Sequence, residues 1–156
     1  MAISICLNMI VKDESPIIEK TLTMLCSKIN FDYWVISDTG STDKTPENKT
    51  IFFEKKKIPG ELKQDTWKDF SYNRNLALNY AFGKTDLLLI FDADDDIVGD
   101  IIIPNVVNVD GYNLQFGSSS GEGIVYSRMS LINNKSKWRY KSVLHEFIEC
   151  LEKEPK

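Results

Sequence analysis

The sequence predicts an α/β fold in which a mostly parallel sheet is flanked by helices. Apolar runs typical of buried strands alternate with segments whose apolar residues recur at helical spacing, and such alternation builds parallel sheets through right-handed crossovers. The clearest strand, residues 87–91, has five consecutive apolar residues, as expected where both faces of a strand are buried. With 156 residues, the chain is long enough for one domain with its own core.

The first part of the chain contains four strand patterns and three helix patterns. Strands are predicted at residues 3–11, 33–37, 61–66 and 87–91, and helices at about 15–29, 45–57 and 69–82. Ser15 and Pro16 are typical of an N-cap and a first helical position, so the first helix is predicted to begin there. Thr45 and Pro46 start the second helix, and Gly83 suits the position that ends the third.

The alternation of strand and helix patterns ends after residue 96. Residues 97–108 are predicted to connect two parts of the fold, with room for a short helix. Residues 111–116 and 124–132 alternate between apolar and polar side chains and predict strands of a smaller antiparallel portion. The Ser- and Gly-rich loop between them, residues 117–123, is either a mobile lid or a disordered turn.

Composition and charge exclude several classes of function. The formal net charge of -4 leaves no basic excess for general nucleic-acid binding. No apolar run reaches about 18 residues, and residues 12–14 are charged, so neither a membrane span nor a signal peptide is predicted. The three cysteines, Cys6, Cys26 and Cys150, are odd in number and far apart, which favours free thiols in a reducing compartment. The expected location is therefore the cytoplasm.

Four carboxylates follow the central strand within residues 92–96. Like charges at that density are unfavourable unless a cation or hydrogen-bond donors offset them. Carboxylate oxygens suit hard divalent ions such as Mn²⁺ and Mg²⁺. The sequence therefore predicts a metal site at the carboxyl end of the central strand, and the alternative is a solvated acidic turn.

Carboxylates also follow other predicted strands. They are Asp13 and Glu14 after the first strand, Asp38 after the second, and Asp92 and Asp94 after the fourth. The carboxyl ends of parallel strands share one edge of the sheet, and ligands bind there. Arg74, early in the third predicted helix, is expected near the same edge. An arginine among acids, together with a divalent metal, suits a diphosphate.

Other motif assignments fit less well. The Asp-x-Asp-x-Asp run resembles a calcium-binding EF-hand loop, but Ile97 and Ile103 stand where that loop needs glycine and glutamate. Residues 38–41 resemble the aspartic protease motif, yet they lead into a helix and occur once. A haloacid-dehalogenase phosphatase would carry its Asp-x-Asp motif after the first strand, whereas here the motif follows a later one.

Taken in order, the motifs resemble those of GT-A glycosyltransferases of the family 2 type. They are residues 8–14 (NMIVKDE), 35–45 (VISDTGSTDKT), 70–78 (FSYNRNLAL), 92–95 (DADD) and 138–146 (WRYKSVLHE). The first four resemble the family's opening strand and turn, its base-binding turn, its Arg-Asn helix and its DxD motif. The last is similar to a segment in the branch that contains lipopolysaccharide core glucosyltransferases and peptide S-glycosyltransferases. Asp13 departs from the family pattern, in which asparagine is more usual.

The resemblance implies a single GT-A (Rossmann-like) catalytic domain over residues 1–156. Residues 1–100 would form its nucleotide-binding half and residues 101–156 its acceptor-side half. Family members usually continue well past this length. The chain is therefore expected to be either a minimal enzyme or the catalytic domain of a longer protein, and in the second case its acceptor site would be incomplete.

The donor implied by the resemblance is a nucleotide-diphosphate sugar, most often a UDP-sugar, bound with Mn²⁺ or Mg²⁺. Glu14 and Asp38 would contact its ribose and base, and the backbone around Val11 would complete the base pocket. Arg74 would approach the diphosphate. The acceptor stays open and is a saccharide, a lipid-linked saccharide or a protein.

The resemblance also implies roles in metal binding and in the chemistry. Asp94 would hold the metal, and Asp92 would contact the metal or the ribose. Transfer with inversion at the anomeric carbon needs one base to take the acceptor's proton. Glu146 is the candidate base, and His145 is either an alternative base or a metal ligand. A hydrogen-bonded core histidine is the competing interpretation of His145.

Two other functions remain as alternatives. One is a non-catalytic module that binds a nucleotide sugar. The other is a nucleotidyltransferase, which usually carries a glycine-rich, basic loop after the first strand to hold a triphosphate. Residues 12–14 provide no such loop, so the sequence favours the glycosyltransferase.

Overall fold

The structure, a computed structural model of the chain, describes residues 2–117, 123–143 and 146–152. This part of the chain forms eight strands and three helices. The strands are β1 (Ile5–Val11), β2 (Tyr33–Asp38), β3 (Gly60–Gln64), β4 (Leu87–Ile90), β5 (Gly111–Phe116), β6 (Tyr126–Asn133), β7 (Trp138–Lys141) and β8 (Phe147–Cys150). The helices are α1 (Ile18–Lys28), α2 (Thr45–Lys56) and α3 (Phe70–Ala81).

Six strands form one mixed sheet in the order β3-β2-β1-β4-β6-β5. β1 pairs in parallel with β2 and β4, and β2 pairs in parallel with β3. β6 runs antiparallel to both β4 and β5. β7 and β8 form a separate antiparallel pair. The predicted α/β fold, with a mostly parallel sheet flanked by helices and a smaller antiparallel portion, is confirmed.

Helices cover both faces of the central strands. On one face, Leu87 and Leu89 of β4 belong to a core that includes side chains of α1 and α2. On the other face, Leu88 and Ile90 pack in a second core with α3. All four side chains of β4 are buried. This two-sided burial explains why the strand shows an unbroken apolar run instead of alternation.

Local chemistry fixes both ends of α3, the helix that carries Arg74. The Asp69 side chain caps the helix by accepting a hydrogen bond from the backbone N–H of Tyr72 at 2.7 Å. Gly83, one residue beyond the C-cap, has a φ of 76°, which glycine adopts without strain. The start of α2 at Thr45 also agrees with the prediction.

The predicted start of the first helix is wrong. α1 begins at Ile18, three positions after Ser15. The Glu14 carbonyl accepts hydrogen bonds from the N–H groups of Ile17 and Ile18, at 3.0 and 2.8 Å. The Ser15 N–H instead donates to the Asp43 carboxylate at 3.1 Å. These bonds hold the chain in a turn, so Ser15 does not cap the helix.

Residues 97–108, where the sequence has room for a short helix, form none. Gly99 has a φ of 82°, which lies outside helical geometry. Ile97, Ile101 and Ile103 are partly buried against the core that contains α1 and α2. The segment therefore follows the outside of this core as irregular chain.

Two further predictions concern the loop at residues 117–123 and the lack of a membrane span. The loop predicted at residues 117–123 lies mostly outside the described ranges, so neither interpretation of that loop is tested. Within those ranges, no helix has the length and apolar character that crossing a membrane requires.

Candidate functional site

A cavity of about 490 Å³ opens at the carboxyl edge of the parallel strands. Six of the residues predicted to form the site line it: Val11, Glu14, Arg74, Asp92, Asp94 and Glu146. Phe70, the first residue of α3, and Trp67, three positions before it, also line the cavity, and their ring centroids are 4.9 Å apart. The fold thus brings distant segments of the chain to one cavity.

Asp38, the remaining residue predicted to contact the nucleotide, is buried beside this cavity and is not part of its wall. One carboxylate oxygen accepts hydrogen bonds from the N–H groups of Gly40 and Ser41, at 3.0 and 2.8 Å. The N–H of Thr39 donates to the carbonyl of Val11 at 2.9 Å, which ties the turn to the cavity edge. The second Asp38 oxygen is buried and has no hydrogen-bond partner in the described part of the chain.

A hydrogen-bonded junction between β1 and the start of α2 fixes the backbone that carries Glu14. Asp13, with a φ of 51°, accepts a hydrogen bond from the N–H of Thr42 at 2.7 Å, and its own N–H donates to the Ser41 hydroxyl. The Glu14 N–H donates to the Thr45 hydroxyl at 2.8 Å. Asp13 therefore contributes to the site by holding two turns together.

The Glu14 carboxyl sits in a strongly acidic environment. Burial raises its pKa, and the nearby charges of Asp94, Asp43 and Asp92 raise it further. A cation bound in the cavity would relieve this repulsion.

Arg74 forms the centre of the site. Its guanidinium lies 2.9 Å from the Asp92 carboxylate and 3.9 Å from that of Glu146, and its side chain is 9% exposed. The Tyr140 ring centroid is 5.5 Å away. Burial works to lower the Arg74 pKa, but the charge of Asp92, the hydrogen bond to Asp92 and the charge of Glu146 oppose it, and the pKa is raised. Arg74 is therefore a fixed positive charge at the floor of the cavity.

Three carboxylates provide a candidate metal site. Asp92, Asp94 and Asp95 each offer an oxygen, and these oxygens lie within 4.8 Å of one another. Mn²⁺ and Mg²⁺ prefer oxygen ligands, and Mg²⁺ commonly takes only one or two from protein carboxylates when substrate phosphates supply others. Asp94 is exposed and makes no ion pair with any described residue, so it is open to a metal. The donor set fits the predicted cofactor.

Sequence reasoning missed Arg128 of β6. Its guanidinium lies 3.0 Å from Asp95 and 3.8 Å from Asp92, and it stacks over the Phe116 ring at 4.0 Å. The one signal in the sequence was that arginine is rare in this chain, with only three arginines among 19 basic residues. The alternating pattern of β6 gave no other reason to assign Arg128 to the site.

A second cavity of about 490 Å³ adjoins the first on the side of the later strands. Residues after position 100 form most of its wall, including Tyr126, Tyr140 and Phe147. Burial raises the pKa of Tyr140 to about 12, so this hydroxyl stays protonated at neutral pH. The two cavities share four residues: Arg74, Asp92, Arg128 and Glu146.

His145, the alternative base or metal ligand, lies outside the described residues. Glu146 is described, and its carboxylate lies where the two cavities meet. Of the catalytic pair predicted from sequence, the structure therefore places Glu146 alone.

Comparison with known families identifies the chain. The model for glycosyl transferase family 2 matches residues 6–109, which is more than half of the sequence. The chain belongs to glycosyltransferase family 2. The match spans the parallel strands and the carboxylates after β4, and it ends before β5. No curated protein sequence matches the chain closely enough to show a relative.

Solved structures show the same fold at low sequence identity. A mannosyltransferase from Pyrobaculum calidifontis, in complex with GDP-Man and Mn²⁺, is 22% identical with a TM-score of 0.52, over 60% of this chain and 28% of that one. TarS from S. aureus, in complex with UDP-GlcNAc, is 21% identical with a TM-score of 0.50, over 60% and 27%. The apo form of the glycosyltransferase GlyE from Streptococcus pneumoniae is 17% identical with a TM-score of 0.53, over 86% and 34%.

Each of these alignments covers only a small part of the solved structure. The family 2 chain described here spans about a third or less of each of these three structures. What those proteins bind therefore belongs to them, and the likeness shows a shared GT-A fold.

Proposed function

We propose that this family 2 domain binds a nucleotide-diphosphate sugar, a UDP-sugar in the first instance, and transfers the sugar to an acceptor with inversion. One observation carries the proposal: Arg74, Asp92 and Asp94 line a single cavity, and Glu146 lines it too, 3.9 Å from Arg74. A buried cation beside an open carboxylate cluster suits a diphosphate and its divalent metal. The three free cysteines suit the reducing cytoplasm, where we place the activity.

The nucleoside part of the donor would occupy the end of the cavity near β1 and β2. Val11 and Glu14 line this end, and the turn after Asp38 borders it. Glu14 would accept hydrogen bonds from ribose hydroxyls. The unpartnered oxygen of Asp38 would accept one from the base after a small shift of the turn.

Arg74 would act on the diphosphate. Departure of the nucleoside diphosphate builds negative charge, and a guanidinium fixed in a largely buried position stabilises that charge as it develops. Asp94, with Asp92, would hold the Mn²⁺ or Mg²⁺ ion. A divalent ion held there supplies further stabilisation of the leaving group.

Glu146 would serve as the base. Inversion requires the acceptor hydroxyl to attack opposite the leaving group while a carboxylate takes its proton. Glu146 lines both cavities, so its carboxylate can face a donor in one and an acceptor hydroxyl in the other. His145 remains the second candidate for this base or for a metal ligand. The acceptor would be a saccharide, a lipid-linked saccharide or a protein.

The test measures release of nucleoside diphosphate from UDP-sugars and GDP-sugars with Mn²⁺ or Mg²⁺. We expect slow donor hydrolysis without acceptor, and a loss of about 100-fold or more in Asp94→Asn because the metal's stabilisation of the leaving group is lost. Asp96→Asn is the matched control, since Asp96 lies in the same loop, is exposed and is outside the three-carboxylate cluster. Equal activity of the two variants would contradict the assigned role of Asp94.

The same experiment separates the alternative functions. Tight binding of a nucleotide sugar without turnover, with or without candidate acceptors, would indicate a non-catalytic binding module. Incorporation from a nucleoside triphosphate, with release of pyrophosphate, would indicate a nucleotidyltransferase. No binding of any nucleotide would overturn the donor assignment itself.

A further inference from the structure

Arg128 occupies the candidate metal site from the side of the antiparallel strands. Its guanidinium contacts Asp95 at 3.0 Å and lies 3.8 Å from Asp92. Both are among the three carboxylates whose oxygens cluster within 4.8 Å of one another. An arginine therefore neutralises charge at the place where a metal would bind.

Arg128 is held much less firmly than Arg74. The Arg128 side chain is 40% exposed and that of Asp95 is 28% exposed, whereas Arg74 is 9% exposed. Ion pairs with this much solvent access contribute little to stability, so they exchange partners readily. Arg128 also makes a cation–π contact with Phe116, whose ring centroid is 4.0 Å from the guanidinium carbon.

Arg128 and a divalent metal ion are both positively charged, so they compete for the same carboxylates, Asp92 and Asp95. A divalent ion between Asp92 and Asp95 would lie close to the guanidinium and would be repelled by it. A diphosphate resolves the conflict, because its oxygens are good partners for a guanidinium as well as for the metal. Arg128 lines both cavities, which places a diphosphate bound between Arg74 and Asp94 within its reach.

We propose that Arg128 is an internal counter-ion that holds the metal-site carboxylates in the absence of donor and transfers to the diphosphate when nucleotide and metal bind together. The inference rests on the proposed function. Its consequence is thermodynamic coupling: metal and nucleotide each raise the affinity for the other by the same factor, and Arg128 supplies part of that factor. Arg128 would also keep the site from collecting metal ions without a donor.

The first test measures Mn²⁺ binding without nucleotide, by electron paramagnetic resonance of free Mn²⁺. Arg128→Gln is compared with Arg139→Gln, which makes the same change in net charge. Arg139 is half-exposed on β7, pairs with Glu149 at 2.9 Å and lines neither cavity. We expect Arg128→Gln to bind Mn²⁺ about fivefold more tightly than the control, the scale of one exposed ion pair.

The second test adds UDP at saturating Mn²⁺. We expect the UDP affinity of Arg128→Gln to fall about tenfold relative to Arg139→Gln, as charge-assisted contacts are lost. Arg128→Lys keeps the charge, so its affinity for Mn²⁺ alone should stay close to that of the wild type. The inference is overturned if Arg128→Gln binds Mn²⁺ within twofold of the control, or if neither variant binds it.

Different results would contradict the proposed function and the counter-ion role of Arg128. If neither UDP nor GDP binds the wild-type protein in the presence of Mn²⁺, the proposed function fails. If they bind while Arg128→Gln matches Arg139→Gln in either measurement, the donor assignment stands and only the counter-ion role of Arg128 is lost.

Discussion

Lys49 of α2 is the most unusual single residue in the fold. Its side chain is fully buried, and its amine has no hydrogen-bond partner in the described ranges. Burial lowers the pKa of Lys49 to about 8, although the charges of Asp38 and Glu47 oppose the shift. The protein therefore holds a poorly compensated ammonium group close to Asp38, at the turn that borders the cavity lined by Val11 and Glu14.

We predict that Lys49→Met stabilises the protein at pH 7 by about 1–2 kcal/mol. The pKa falls from 10.5 to about 8, which corresponds to an unfavourable contribution of about 3 kcal/mol below pH 8. Part of this gain is lost because Asp38 no longer has a neighbouring cation. Urea unfolding of the two proteins at pH 7 measures the difference.

The pH dependence provides a second measurement on the same variant. Because the folded-state pKa of Lys49 lies below its unfolded value, the unfolded state binds more protons between about pH 8 and 10.5. Stability from this residue should therefore rise with pH across that window, and Lys49→Met should lose the rise. Lys55→Met, at an exposed position of the same helix, is the control. A loss of more than 1 kcal/mol in Lys49→Met at pH 7 would show that the amine has a stabilising partner.

The site residues divide according to what sequence spacing can predict. Asp92 and Asp94 follow a strand directly, so the rule that ligands bind at the carboxyl ends of parallel strands predicted their position. Arg128 lies 33 positions after its partner Asp95 and enters from an antiparallel strand. No local pattern encodes that pairing, because it depends on how β6 adds to the edge of β4.

At the scale of elements, prediction succeeded where one physical signal dominated. The apolar run of β4, the turn residues around β2 and the cap residues of α3 each indicate one structure. The first helix was misplaced because Ser15 and Pro16 give a strong local signal that the tertiary hydrogen bond to Asp43 overrides. β7 and β8 were not assigned as strands, since each has only four residues, too few to show a clear alternation of apolar and polar side chains.

We predict that Asp69→Ala lowers the free energy of unfolding by about 1 kcal/mol. The Asp69 side chain caps α3 through the 2.7 Å hydrogen bond from the Tyr72 N–H, and loss of an N-cap of this type costs about 0.5–2 kcal/mol. Chemical denaturation measures the change.

Asp69→Asn is the control for this prediction. Asparagine keeps an oxygen acceptor and is an equally good N-cap, so its stability should stay within about 0.5 kcal/mol of the wild type. If the asparagine variant loses as much stability as the alanine variant, the charge of Asp69 matters and the cap does not.

The candidate site lies where the parallel strands of the sheet meet the antiparallel strands. The parallel strands and α3 supply Glu14, Arg74 and the carboxylates after β4. The antiparallel strands supply Arg128, and the segment before β8 supplies Glu146. The family match ends at residue 109, so the later wall of the second cavity lies outside the part of the chain that the family describes.

The proposed function requires Arg74 to contact the diphosphate of a nucleotide sugar, and Asp92 and Asp94 to hold the divalent metal that binds the same diphosphate. An anomalous-difference map from a crystal grown with UDP and Mn²⁺ tests this arrangement. We predict a manganese peak coordinated by an Asp94 oxygen and by the diphosphate, with the Arg74 guanidinium in contact with a phosphate oxygen. A manganese peak on other residues, or a diphosphate bound outside the cavity formed by β1, β4 and α3, would contradict the claim.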